Sequence, residues 1–402
     1  MNILVVSISA PPKNSPESLQ TGRYLLELSK IYDTSLLTTI PAPGWAPAEE
    51  KLKTYLNFVD QVLVLPTLPG LLLGGIKRIA PKLMVPDEQF IFHWLSAFVK
   101  LKKIPDLLFS RSTPFSSAVM AYKLKRKFSI PWVMHLSDTW VDNPFYRSIS
   151  GKSRLDSYWE YKCFRLADVV TVTSELTLRF YASKYPQYSR KLRQLPNVIE
   201  SSSINKNEVS VEGKIRFVFT GRLYGSRSPE ALLNAIQTSL ELRPEFKEVS
   251  EFIFAGFFDP QYEEQFNKLD LKNVKNIGHV SQEESIKLQR SAHILMLIDS
   301  LEDDDRHDLF FPSKVLEYIA ARRRVLAITR STSTVNSIIG KELGDCFSAE
   351  MLGDLPQFII HCIEKFKGGD VSYFSCRGDF TEYTVENQTK KLVKIFEELI
   401  SR

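Results

Sequence analysis

Short, nearly unbroken apolar runs alternate with longer amphipathic segments along the whole chain. In the first half, runs at residues 3–8, 35–39, 61–65, 107–110, 132–136 and 169–173 read as strands. Helical periodicity falls between them at 19–31, 89–103, 116–127, 154–166 and 175–184. Strands buried on both faces of a parallel sheet lose the in–out alternation of half-exposed ones, and these runs have that character. The rhythm breaks at 201–214, which is polar and carries no apolar period, as a linker does. It resumes with strands at 215–220, 252–255, 274–277, 294–298 and 325–328 and helices at 229–242, 283–290, 313–322 and 357–367. The chain closes on a long helical pattern, 381–402, carrying Val385, Leu392, Ile395, Phe396 and Leu399.

This order predicts an α/β protein of two doubly wound, Rossmann-like parallel-sheet domains, 1–200 and 215–380, joined by 201–214 and facing a cleft. A ligand is then expected beyond the carboxyl ends of the strands. The length of 402 residues agrees, since single domains typically run about 100–200. The four cysteines, Cys163, Cys346, Cys362 and Cys376, form no CxxC pair, which fits a reducing compartment and argues against a structural zinc site. The uncharged stretch 61–76 is broken by Pro66, Pro69, Gly70, Gly74 and Gly75, and a spanning helix needs about 20 apolar residues. Met1-Asn2-Ile3-Leu4 reads as the start of a strand and not as a signal peptide, so a cytoplasmic location is expected.

Net charge is +5, but residues 1–200 carry 26 Lys and Arg against 16 Asp and Glu, and the remainder carries 26 against 31. A basic first half suits an anionic surface, either nucleic acid or a membrane leaflet, unless it is ordinary surface drift.

Three segments carry candidate chemistry. Thr220-Gly221-Arg222-Leu223-Tyr224-Gly225-Ser226-Arg227 follows the first strand of the second half. Its glycine permits close backbone approach and its two arginines suit phosphate oxygens, although a solvated loop has the same composition. In Phe310-Phe311-Pro312-Ser313-Lys314-Val315-Leu316-Glu317, Pro312 and Ser313 are start-of-helix residues. Free amides there attract phosphate, Lys314 adds a full charge, and Glu317 at the same helix end can accept from a ribose diol. Surface Lys and Glu on a capped helix is the plainer alternative. His135 and Asp138, in Met134-His135-Leu136-Ser137-Asp138, follow a strand end and can handle protons, or His135 is simply a core residue. The cluster Glu302-Asp303-Asp304-Asp305-Arg306-His307-Asp308 lacks calcium-loop spacing and is read as a solvated loop, so no metal is assigned. No Walker A, GxSxG, HExxH or GxGxxG pattern is present.

In order, the segments HLSDTW (135–140), ADVVTVTSE (167–175), LPNVIE (195–200), FTGRLYGSR (219–227) and FFPSKVLEYIAARRRVLAIT (310–329) resemble GT-B glycosyltransferases. Within these the chain resembles family 4, the glycosyltransferase group 1 family, over essentially its whole length. The resemblance implies that the second domain binds a nucleotide-diphosphate sugar and the first binds the acceptor. Arg222 and Arg227 would grip the diphosphate beside Gly221, Ser313 and Lys314, Glu317 would hold the ribose, and His135 and Asp138 would lie near the transferred sugar. It also implies that the helix 381–402 returns to the first domain and that transfer retains anomeric configuration without a metal or other cofactor. Two departures stand out. Leu309 replaces the first glutamate of the family's Glu-x7-Glu motif, with Asp308 alongside, and Ala10-Pro11-Pro12-Lys13-Asn14-Ser15-Pro16 lacks the usual paired glycines.

The expectation is therefore a hexosyl- or hexosaminyltransferase using a UDP- or GDP-sugar. Its acceptor would be a glycan or polyprenyl-diphosphate-linked glycan of bacterial surface-polysaccharide synthesis, without nucleic acid. Peripheral contact with the anionic inner face of the cell membrane would use Lys77, Arg78, Lys82, Lys100, Lys102, Lys103, Lys123, Lys125, Arg126 and Lys127. These stand beside Leu71, Leu72, Leu73, Phe90, Phe92 and Trp94. A sugar-nucleotide epimerase of the same fold and a catalytically silent binding protein are the alternatives.

Overall fold

A computed structural model describes every residue except 40–47, 67–69, 81–83, 145–151, 211, 270, 377 and 402. The chain forms two units, Met1–Ser201 with Thr381–Arg402, and Ser202–Phe380.

The first unit holds a seven-stranded parallel sheet in the order β3-β2-β1-β4-β5-β6-β7. The strands are β1 (Asn2–Val6), β2 (Asp33–Thr39), β3 (Gln61–Leu65), β4 (Leu107–Ser112), β5 (Trp132–Leu136), β6 (Val169–Val172) and β7 (Leu192–Gln194). Along β1 both alternating sets are buried, so helices must cover both faces. Ile3, Val5, Phe109 and Val133 meet Tyr24 and Leu28 of the Pro16–Leu28 helix and Leu392 and Phe396 of the Val385–Ile400 helix. The opposite face, with Leu4, Val6 and Met134, is closed by the Ser116–Phe128 helix, and Phe115 stacks on Trp140 at 4.8 Å.

The second unit holds a six-stranded parallel sheet ordered β10-β9-β8-β11-β12-β13. Its strands are β8 (Ile215–Leu223), β9 (Ser250–Phe258), β10 (Val274–Gly278), β11 (Ile294–Ile298), β12 (Arg324–Ile328) and β13 (Gly344–Phe347). Phe217 of β8 stacks on Phe252 of β9 at 4.6 Å, inside a core shared with the Glu230–Leu242 and Leu355–Lys367 helices.

Several boundaries differ from the periodicity. Ser15 accepts from the Ser18 amide, so the first helix begins at Pro16 and not near residue 19. The helix expected over 89–103 is short, Ile91–Leu95 with a 3-10 turn through Phe98, because Val99 turns extended and buries itself. Residues expected as free linker pack onto the second unit. There Val209 enters the core, and the Asn205 amide donates to the Ala320 carbonyl at 2.7 Å. Among the described residues, no helix is long and apolar enough to cross a membrane.

Candidate functional site

The carboxyl end of β8 is built for close approach. Gly221 has φ +129°, and its neighbour across the sheet, Gly256 of β9, has φ +145°. A methyl group on Gly256 would stand 1.6 Å from the Gly221 carbonyl oxygen, and one on Gly221 would stand 2.2 Å from Lys314 Nζ. Only glycine fits either position, and the space gained at Gly221 admits the Lys314 ammonium.

Lys314 lies in the first turn of the Ser313–Ala321 helix, half-buried, with Nζ 4.2 Å above the centre of the Phe219 ring. Burial, reinforced by the positive charge of Arg227, pushes its pKa down to about 7, against the pull of Glu317 and Asp299. Arg227 donates from Nε to Asp299 at 3.2 Å and from Nη1 to the Tyr224 hydroxyl at 2.9 Å. Glu317, one turn into the helix, accepts from Gln289 Nε2 at 2.8 Å, and the same nitrogen reaches Thr220 Oγ1 at 2.9 Å. The Tyr318 hydroxyl donates to the Met296 carbonyl at 2.8 Å and accepts from the Thr220 amide at 3.3 Å. These bonds tie the middle of the helix to β8 and β11.

Gly221, Arg227, Lys314 and Glu317 are thus brought together. The helix starts at Ser313, so Pro312 occupies the cap position and supplies no side-chain cap bond. The first-turn amides of Ser313 and Lys314 then face outward without intrahelical acceptors. Arg222 points elsewhere: exposed, its guanidinium lies 5.7 Å from the Phe257 ring, which stacks on His279 at 4.3 Å. Asp308, the neighbour of the Leu309 that stands at the family's glutamate position, accepts from Arg330 Nε at 2.9 Å and Thr332 Oγ1 at 2.6 Å and is buried. Asp299, Gln289 and Arg330 were not legible as site residues, because each lies far in sequence from the segment it braces.

In the first unit, His135 is wholly enclosed within β5. Its register neighbours are Arg111 of β4 and Thr171 of β6. Nδ1 lies 3.0 Å from Thr171 Oγ1, while Nε2 has no partner among the described residues. Burial and the Arg111 charge push its pKa well below the usual value, so the ring is neutral at pH 7. Arg111, equally buried, donates from Nε to Glu17 at 3.0 Å, and the Ser137 hydroxyl donates to the second Glu17 oxygen at 2.5 Å. This pair fixes the loop that leads to Asp138, which is half-buried. The glycine-free loop after β1 is held by Lys13, whose buried Nζ donates to Thr39 Oγ1 at 2.7 Å. Burial brings its pKa down to about 7.

The surface expected to meet a membrane is redistributed. Phe90 and Phe92 are buried and do not contribute. Trp94 is 59% exposed, Ile79 85% and Phe98 80%, and Arg78, Lys100, Lys102 and Lys103 are exposed as well. Lys123 Nζ sits 3.9 Å over the Trp94 ring. Lys82 lies outside the described residues.

Two parallel-sheet α/β units of seven and six strands, with the candidate anion site at the strand ends of the second, define the GT-B fold. Solved structures agree over the full length. The chain matches HepE of Anabaena, solved with UDP and glucose, at 15% identity and TM-score 0.67, covering 99% of this chain and 100% of that one. It matches sucrose-phosphate synthase from Thermosynechococcus elongatus at 14% identity and TM-score 0.66, covering 100% and 99%. A structure from Listeria monocytogenes described as a UDP-N-acetylglucosamine 2-epimerase matches at 11% identity and TM-score 0.60, covering 99% and 97%. No protein-family model matches the chain, and no curated protein matches it in sequence.

Proposed function

We propose that the protein is a glycosyltransferase that moves a hexosyl or hexosaminyl group from a nucleotide-diphosphate sugar to a glycan or lipid-linked acceptor. Transfer proceeds with retention and without a metal, in bacterial surface-polysaccharide synthesis. The carrying observation is the seating of the Lys314 ammonium on Gly221, with Arg227 and Glu317 beside it at a helix start. Lys314, Arg227 and the Ser313 and Lys314 amides offset charge developing on the leaving diphosphate. Glu317 accepts from the ribose, and the exposed Phe257–His279 stack with Arg222 offers a shelf for the base. The UDP bound to Anabaena HepE supports a uridine donor.

The test is a thermal-shift panel of UDP, GDP, ADP and CMP with their common sugar conjugates. Selective stabilisation by UDP and UDP-sugars is expected, and Lys314→Ala should lower turnover more than donor binding. No shift with any nucleotide would overturn the reading and favour a silent binding protein. The likeness to an epimerase gives a second reading; nucleoside diphosphate released only when acceptor is present separates transfer from epimerisation.

The lipid-linked acceptor draws support from the exposed Ile79, Trp94 and Phe98 and from the exposed basic residues, each of which adds about 1 kcal/mol near an anionic leaflet. Flotation with phosphatidylserine-containing liposomes at low salt is expected, and absence of binding would remove the membrane from the proposal.

A further inference from the structure

Ser226, next to Arg227, and Asp299, the carboxylate that holds Arg227, line a cavity of about 510 Å³, within the ordinary ligand-pocket range of roughly 300–1,000 Å³. It opens at the carboxyl ends of β8, β11 and β12, with one wall from the Glu230–Leu242 helix. β8 and β11 are sheet neighbours whose strand order departs in opposite directions, the crevice where open α/β sheets hold ligands. None of Arg222, Lys314, Glu317 or Gln289 lines it.

Its lining has a definite chemistry. Ala231, Ala235 and Leu301 contribute apolar surface, while Ser226, Glu230, Asn234, Thr238 and Asp299 contribute hydrogen-bonding groups. The side chains of Asn234 and Thr238 are exposed and make no hydrogen bond among the described residues. Glu230 and Asp299 line the cavity with no lysine or arginine beside them; Asp299 is paired with Arg227, so the unpaired charge left is that of Glu230, which disfavours an anionic ligand. Apolar surface paired with uncommitted hydroxyl, amide and carboxylate groups matches the C–H face and hydroxyl rim of a sugar ring.

We propose that this cavity is a saccharide site, taking a neutral ligand of one or two rings. Asp299 lines it and also holds Arg227, and Ser226, another lining residue, bonds Ser300 at 2.9 Å. A saccharide hydroxyl on Asp299 therefore steadies the loop that presents Arg227. Occupancy is coupled to the diphosphate site, a coupling that rests on the proposed donor function.

The experiment is saturation-transfer NMR and titration calorimetry on the full chain with glucose, maltose and maltotetraose, each with and without UDP. Binding of saccharide is expected in the absence of UDP. Asn234→Trp and Thr238→Trp, each filling the cavity from an exposed helix position, should each lose at least about tenfold in saccharide affinity. Both should keep the UDP-induced thermal shift, which reports that they fold. UDP and saccharide should raise each other's affinity by the same factor, about threefold or more. Binding by glucose identifies a small free sugar, and binding only by maltotetraose identifies the outer part of a glycan acceptor; both support the site. No saccharide binding, or binding that survives both tryptophan variants, would overturn it. A wild type that binds saccharide but not UDP would refute the nucleotide reading and leave this one standing.

Discussion

Binding of a nucleoside diphosphate should draw a proton onto Lys314. In the free protein its pKa lies at about 7, because burial and Arg227 both disfavour the ammonium. A diphosphate seated over the Ser313–Ala321 helix start brings negative charge beside Nζ and restores the pKa toward or above the ordinary 10.4 or so. The bound state then holds more protons than the free state at every pH between these values, so affinity falls as pH rises through that window. With a free pKa near 7, about half a proton is taken up per UDP at pH 7 and about 0.9 at pH 8. UDP affinity should fall roughly 50-fold between pH 7 and pH 9, about 2.3 kcal/mol. Titration calorimetry at pH 8 in buffers of different ionisation enthalpy counts the protons directly. Lys314→Met, an unbranched side chain one atom shorter and without a titrating group, should take up almost none and show a nearly flat profile over pH 7–8. Uptake below about 0.2 protons at pH 8, or equal uptake by the methionine variant, would refute the assignment of Lys314 as the diphosphate's ammonium partner.

The same lysine should mark the stability profile. Its folded pKa lies below the unfolded one, so the unfolded state holds more protons between them, and the wild type should gain stability relative to Lys314→Met as pH rises from 7 to 10 in thermal melts. A constant gap would count against a buried ammonium. Gly256→Ala should cost at least about 3 kcal/mol in urea unfolding, since its methyl would meet the Gly221 carbonyl at 1.6 Å in a backbone conformation that alanine resists; a loss under about 1 kcal/mol would contradict the register at this pair. Arg111→Met leaves the buried Glu17 carboxylate without its cation and should destabilise by about 3–5 kcal/mol at pH 7, with most of the loss recovered in Arg111→Met/Glu17→Gln. A double variant no more stable than the single would mean that the pair is not coupled.

The strand runs were legible because burial on both faces leaves them almost purely apolar, and runs 132–136 and 294–298 coincide with β5 and β11; run 61–65 coincides with the edge strand β3 although Val62 and Val64 there are exposed. The short edge strands β7 and β13 escaped because each carries little apolar sequence: Leu192-Arg193-Gln194 and Gly344-Asp345-Cys346-Phe347. The Thr334–Glu342 helix escaped as well, with Asn336, Ser337, Gly340 and Lys341 diluting its period. Within the site, Gly221, Arg227, Lys314 and Glu317 stood out because they fall in two contiguous segments whose residue types suit an anion. His135 illustrates the opposite case. Sequence places it at a strand end, where a catalytic base and a core histidine look alike, and only the register with Arg111 and Thr171 shows how completely it is enclosed.

The departure at position 309 shows how a missing residue and a surviving one differ in meaning. Asp308 is adjacent to the place where a family glutamate would stand, so the sequence leaves open that its carboxylate fills the role. In the fold it turns to Arg330, which also takes Asp303 at 3.0 Å and Asp305 at 2.7 Å, while Asp304 is held by Arg306. Four acidic side chains of this loop are thereby directed at two guanidinium groups and away from Lys314. Asp299 and Glu317 are the carboxylates that act on Lys314, and Asp299 is itself paired with Arg227. At the start of the Ser313–Ala321 helix Lys314 and Arg227 are thus balanced by Asp299 and Glu317 alone and not by the acidic run Glu302–Asp308, which leaves the outward-facing first-turn amides as the uncompensated positive end.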